Sequence, residues 1–177
     1  MKIPILMATG CLAMATTLAR AESWSEPVTG MEFVRVPAGC YTMGDTFGGG
    51  DHNELPAHEV CVKEFWIGKF EVTQGEWSAL MPENPSAWSG SPRHPVDGVT
   101  QRDVAQLTQL LMDKNPGRVF RMPTEAEWEF ACRAGGRAEK FGGAAPPAGA
   151  NTAEYANLHG EGTLPVGSFL PNALGIH

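Results

Sequence analysis

The sequence predicts an irregular α+β domain, and three observations carry that prediction. Gly 21 and Pro 14 in 177 residues punctuate the chain too often for a regular bundle or barrel. Short β-branched and aromatic runs fill the first half between turn clusters. Three helix starts follow, each with a threonine placed three residues before a carboxylate.

Residues 1–21 stand apart. Lys2, an apolar run over 3–18 and the small-x-small sequence Ala19-Arg20-Ala21 have the layout of a signal peptide cleaved after Ala21. A membrane anchor would need about 18 or more apolar residues, and this run is interrupted by Thr and Gly. A lipoprotein at Cys11, after Gly10, is the weaker alternative because Ala8 is a poor third position. Export to the periplasm or the medium is expected. Residues 22–177 then amount to about one domain, on a prior of about 100–200 residues each.

Residues 31–36, 40–43 and 60–72 read as strands. Gly48-Gly49-Gly50-Asp51 between them reads as a loop; no strand-to-helix switch or Lys-Ser/Thr follows it, so it is not a phosphate cradle. Cys40 and Cys61 lie in strand-like runs of a chain expected in an oxidising compartment, and a disulfide between them is the preferred reading. The alternative is two small buried hydrophobes.

Thr73 with Glu76 opens the first helix, whose Trp77, Leu80 and Met81 face a core before Pro82. Thr100 with Asp103 opens the second, with Val104, Leu107 and Leu111 on one face and an end near Asn115-Pro116-Gly117. Thr124 with Glu127 opens the third, after the Pro123 stop. There Trp128, Ala131 and Cys132 fall at i, i+3 and i+4 and are expected to form the buried stripe, with Gly135-Gly136 as the terminator. Cys132 is expected to be buried and inert. The Gly/Ala/Pro-rich residues 142–150 are expected to form an extended surface loop.

A formal net charge of -7 with no Lys/Arg run argues against a nucleic-acid partner. His52, Glu54, His58 and Glu59 are the densest group of metal-ligand types. Their spacing fits neither a helical HExxH pair nor a Cys/His finger, so they read as polar loop residues. His94, His159 and His177 are isolated.

The string Arg121-Met122-Pro123-Thr124-Glu125-Ala126-Glu127-Trp128-Glu129 resembles the RLPTEAEWE block of the formylglycine-generating enzyme family, also called sulfatase-modifying factor domains. That family includes pyoverdine-maturation and ergothioneine-synthesis relatives. Further blocks follow in the family's order: Val36-Pro37-Ala38-Gly39 with Met43-Gly44; Glu54-Leu55-Pro56-Ala57-His58-Glu59-Val60; residues 65–73; Asn84-Pro85-Ser86 with Pro95-Val96-Asp97-Gly98-Val99; and Ala156-Asn157 with residues 165–175. The resemblance implies a C-type-lectin-like fold. It also implies a structural calcium site at the Asn157 side chain and the Leu158 carbonyl, with Glu161 as the one substitute for the family's following acidic ligand.

The chain departs from the family in several places. Gln101 stands where the family usually has Trp, and Leu110 or Leu111 near another. The sequence ends at His177, before the family's GNVWEW block and the paired cysteines that bind copper, so no residue is assigned to catalysis and copper is not expected. The domain is therefore expected to be incomplete at its C-terminus, with open strand edges and apolar surface that a partner covers. Two functions follow from the resemblance. One is an exported non-catalytic module that binds a protein, or is a subunit at the outer face of a membrane complex. The other is a metal-dependent oxidase of a peptide or protein, completed by another chain.

Overall fold

A computed structural model describes residues 22–137 and 162–177. Two small antiparallel sheets and three helices make an α+β architecture, in the order β1 (Ser23–Ser25), β2 (Glu32–Val36), β3 (Gly39–Met43), a 3-10 turn (His52–Glu54), β4 (His58–Val62), β5 (Phe65–Gly68), α1 (Gln74–Ser78), α2 (Gln101–Lys114) and α3 (Glu125–Cys132). One sheet runs β1-β2-β5 and the other is the β3-β4 hairpin. No helix among the described residues is long and apolar enough to cross a membrane.

The predicted strand over 60–72 divides into two. Val60 to Val62 pair with β3, whereas Phe65 to Gly68 pair with β2. The exposed Lys63-Glu64 step between them carries the chain from one sheet to the other. β1 went unpredicted because three residues, Ser-Trp-Ser, hold too little pattern to register.

Cys40 and Cys61 face each other in the β3-β4 register and are joined by a disulfide at a Cα separation of 4.0 Å. The bond closes a sequence separation of 21, which corresponds to about 3 kcal/mol through restriction of the unfolded chain. Alkylation without reductant is expected to leave both cysteines unlabelled in the intact mass, and labelling at both would refute the pairing in solution.

Two cores form. Met31, Trp77, Met81, Leu107 and Leu111 pack between the turn after β1 and helices α1 and α2. Val36, Tyr41, Phe130 and Ala131 pack between the sheets and α3. The stripes of α1 and α2 thus lie where the sequence placed them. That of α3 does so only at Ala131, which is 0% exposed: Trp128 is 58% exposed while Phe130 is 2%. Phe130 wins the inner position because it meets the bare backbones of Gly39 and Gly136 and the ring of Tyr41, 5.4 Å away. Both glycines admit the ring only because they lack a Cβ, which would stand 2.8 Å from it at Gly39 and 3.0 Å at Gly136. Cys132, two residues further on, is half-buried, and burial pushes its thiol pKa up.

The first core is fastened by a buried carboxylate. Glu26 is 0% exposed, and its oxygens accept hydrogen bonds from the Val28 and Thr29 amides, the Thr29 hydroxyl and the Asn115 amide at 2.6 to 3.1 Å. The turn after β1 is thereby bound to the C-terminal end of α2. Beside the second core Asn172, also buried, donates to the Ala131 carbonyl at 2.7 Å and accepts from the Leu174 and Ile176 amides. The last described turn is in this way docked on α3.

Candidate functional site

The 117–129 segment, which the sequence singles out, leads an extended chain into α3. Pro123 biases the residue before it away from helix, and Thr124 takes the extended geometry of an N-cap. Its hydroxyl accepts from the Glu127 amide at 3.2 Å while the Glu127 carboxylate accepts from the Thr124 amide at 2.8 Å. The same capping box recurs at Thr73 and Thr100.

Arg121 completes the knot. Its two terminal nitrogens donate to the two Glu127 oxygens at 2.7 Å each, and one also donates to the Met122 carbonyl. Mainly through Arg121, against the cost of burial and with help from Thr124, the Glu127 carboxyl is held down at about 2. A depressed carboxylate stabilises the fold above its unfolded pKa and loses that contribution as pH falls through the folded one. Glu127→Gln is expected to cost about 1 kcal/mol at neutral pH, since Arg121 is half exposed and partly screened. Urea midpoints of the variant and the parent should converge as pH drops from 4.5 towards 2; a constant gap would assign the loss to packing instead.

Glu129 and Arg133 do a similar task one turn on. Glu129 accepts from the Gly44 amide at 3.1 Å and pairs with Arg133 at 2.8 Å. Arg133 in turn donates to the carbonyls of Thr42 and Gly44 and to the Thr46 hydroxyl, and lies over the Phe47 ring. Arg121, Pro123, Thr124, Glu127 and Glu129 are therefore joints of the architecture. Glu125 is exposed on the first turn, and Trp128 projects outward.

Trp128 opens onto a groove in two parts. The first part, about 420 Å³, is lined by β5, by Trp24 and Phe33 of its sheet and by the 117–121 segment, with Trp66, Arg118, Arg121 and Glu127 on its walls. The Arg118 guanidinium stacks 4.0 Å over the Trp24 ring and pairs with no carboxylate among the described residues. The second part, about 330 Å³, is mainly apolar: Phe70, Leu107, Leu111, Met122 and Trp128 line it, together with Glu32, Glu71 and Glu76. Phe33, Ile67, Gly68, Phe120, Arg121 and Pro123 belong to both parts. Trp24, Trp66 and Arg118 escaped sequence reasoning. The available signal was Phe65-Trp66-Ile67, large on both faces of one strand, which implies cover on both sides.

Other residues singled out in the sequence do not converge. No group of three or more His, Cys, Asp or Glu among the described residues is placed to hold a metal ion, and this includes His52, Glu54, His58 and Glu59. Asn157, Leu158 and Glu161 lie outside the described residues, as does the signal-like 1–21 segment. A copper site built on two thiolates does not fit the described cysteines, since two are bonded to each other and Cys132 is alone.

The fold and these joints define a sulfatase-modifying-factor domain. A family model described as sulfatase-modifying factor enzyme 1-like domain matches residues 19–177, and the chain belongs to that family. Among curated proteins it is 31% identical over 114 residues to the chaperone protein LppX of Paenibacillus barcinonensis, covering 46% of this chain and 40% of that one. It is 28% identical to the formylglycine-generating enzyme of Streptomyces coelicolor, covering 81% of this chain and 64% of the enzyme. The chain thus spans less than two thirds of the length of either relative. Among solved structures, PvdO from Pseudomonas aeruginosa superposes with a TM-score of 0.77 at 31% identity, over 89% of this chain and 70% of that one. Treponema denticola variable protein 1 shares the fold, with a TM-score of 0.70 at 24% identity over 88% and 72% of the two chains.

Proposed function

We propose that this chain is an exported, non-catalytic member of its family that binds a polypeptide, as a recognition module or as a subunit of an envelope assembly. The observation that carries this reading is the groove beside α3, where large apolar side chains meet solvent at the joint of the fold: Trp66 is 38% exposed, Met122 57%, Trp128 58% and Val119 82%. Apolar surface of this kind, bordered by charges, is characteristic of interaction sites. The disulfide and the likeness to a chaperone protein support an extracytoplasmic location, with residues 1–21 as its leader and the periplasm or the medium as the destination.

The likeness to formylglycine-generating enzymes, and to the hercynine oxygenase of Mycolicibacterium thermoresistibile at 30% identity over 153 residues, favours a second reading: an oxidase whose thiolate ligands come from another polypeptide. Oxygen consumption with a cysteine-containing peptide, beside copper and iron stoichiometry of the purified chain, separates the two. The binding reading expects no metal-dependent turnover. Oxygen uptake that scales with bound copper would overturn it.

A further inference from the structure

We propose that the second, apolar part of the groove docks a polypeptide segment in which large apolar side chains are flanked by lysine or arginine. The inference rests on the polypeptide-binding reading above and names the chemistry of the partner.

The cavity supplies the apolar half of the argument. Its volume of about 330 Å³ lies within the range of about 300–1,000 Å³ over which ligand pockets are found. Leu107 and Leu111 of α2, themselves buried, line it together with Phe70 and with Met122 and Trp128, which are both more than half exposed. An apolar side chain entering here removes its own surface and that of Met122 and Trp128 from water, which favours binding.

The carboxylates of the same lining supply the other half. Glu32 is offset by Lys69 at 2.9 Å, and the lining cation Arg121 is taken up by Glu127 at 2.7 Å. His177 keeps Nδ1 within 2.9 Å of the Phe169 carbonyl. Glu71 and Glu76 are left, and neither has a cationic partner among the described residues. Glu76 gives one oxygen to the Thr73 amide at 2.8 Å, while Glu71 is exposed. An apolar cavity lined by two unbalanced carboxylates selects cations and rejects acids. Lysine and arginine carry their charge at the end of an apolar stem, which matches a wall of that mixed kind. The same charges decide against a second copy of the chain: each copy carries -7, and groove against groove would bring Glu71 and Glu76 of both together.

The probe is the capped pentapeptide Leu-Lys-Trp-Lys-Leu. Beside it stand Leu-Glu-Trp-Glu-Leu, which reverses the charge, and Ser-Lys-Ser-Lys-Ser, which keeps the charge and removes the anchors. Titration calorimetry of the full chain is expected to show binding of the first peptide, and binding weaker by about tenfold or more for the other two. The indole N–H resonance of Trp128 should shift as the first peptide binds. Glu71→Lys should invert the preference between the lysine and glutamate peptides; if that variant does not fold, the comparison of peptides on the parent decides. Glu59→Lys makes the same change of net charge on β4, at a residue outside the groove lining, and should leave the preference as it is in the parent. Equal affinity for the lysine and glutamate peptides, or a Glu59 variant as altered as the Glu71 one, would overturn the basic partner and leave polypeptide binding intact. A serine peptide that binds as tightly as the first would overturn the apolar anchor. A dimer in sedimentation that Trp128→Ala dissolves would assign the groove to a second copy and overturn the proposal. No binding of any of the three peptides at millimolar concentration would overturn both the proposal and the reading it rests on. Copper-dependent turnover would refute the non-catalytic reading and leave the docking site standing.

Discussion

Glu26→Gln is expected to lower the unfolding free energy by about 3 kcal/mol at pH 7, measured by urea denaturation. The carboxylate is fully buried and surrounded by donors only: two amides, a hydroxyl and the Asn115 side chain. A glutamine would turn an NH2 group towards one set of those donors and leave both sides unsatisfied. Burial raises the Glu26 pKa, but the bonds from Thr29, Asn115 and Val28 outweigh it, so the carboxyl titrates below the ordinary glutamate value of 4.5. The stabilisation is therefore present above pH 4.5 and lost as pH falls through the lower folded pKa. The gap between parent and variant should narrow on acidification. Equal stabilities at pH 7 would mean that Glu26 is already protonated in the folded state.

The second large effect separates two tryptophans. Trp77 is 2% exposed, lies in the first core, and donates its indole N–H to the Glu83 carbonyl at 2.8 Å. Trp77→Ala should cost about 3–5 kcal/mol through the cavity left behind and the orphaned carbonyl. Trp128→Ala, in contrast, should change stability by less than about 1 kcal/mol, because more than half of the side chain is already in water. Its loss should show instead as weaker binding of a polypeptide ligand. Chemical denaturation of both variants gives the ranking, and a Trp128 variant as damaged as the Trp77 one would place Trp128 in the core.

That contrast also marks how far the sequence could be read. The caps were legible because a capping box is local: threonine and carboxylate lie three residues apart, and all three boxes form as spaced. The stripe of α2 was legible because fourteen residues give the 3.6-residue period room to declare itself. The eight residues of α3 do not. The stripe read from the sequence held Trp128 and passed over Phe130, and the inner position is set by Gly136 beyond the helix end and by Gly39, which is far away in sequence. The groove was invisible because Trp24, Trp66 and Arg118 come from three separate segments and meet only after the sheet and the 117–121 segment are assembled. The buried Glu26 gave no warning either: its donors include an asparagine 89 positions away.

The disulfide has a bearing on what a protease can do to the chain. Cys40 and Cys61 enclose the glycine-rich tip at Gly48–Gly50, an exposed stretch of the sort proteases cut first. A nick there produces two pieces that remain covalently joined, with the Thr42–Phe47 side still clasped by Arg133 on α3. The cleaved molecule would run as one band without reductant and as two with it, so a protein that has met a protease can look intact while its β3-β4 hairpin is already open.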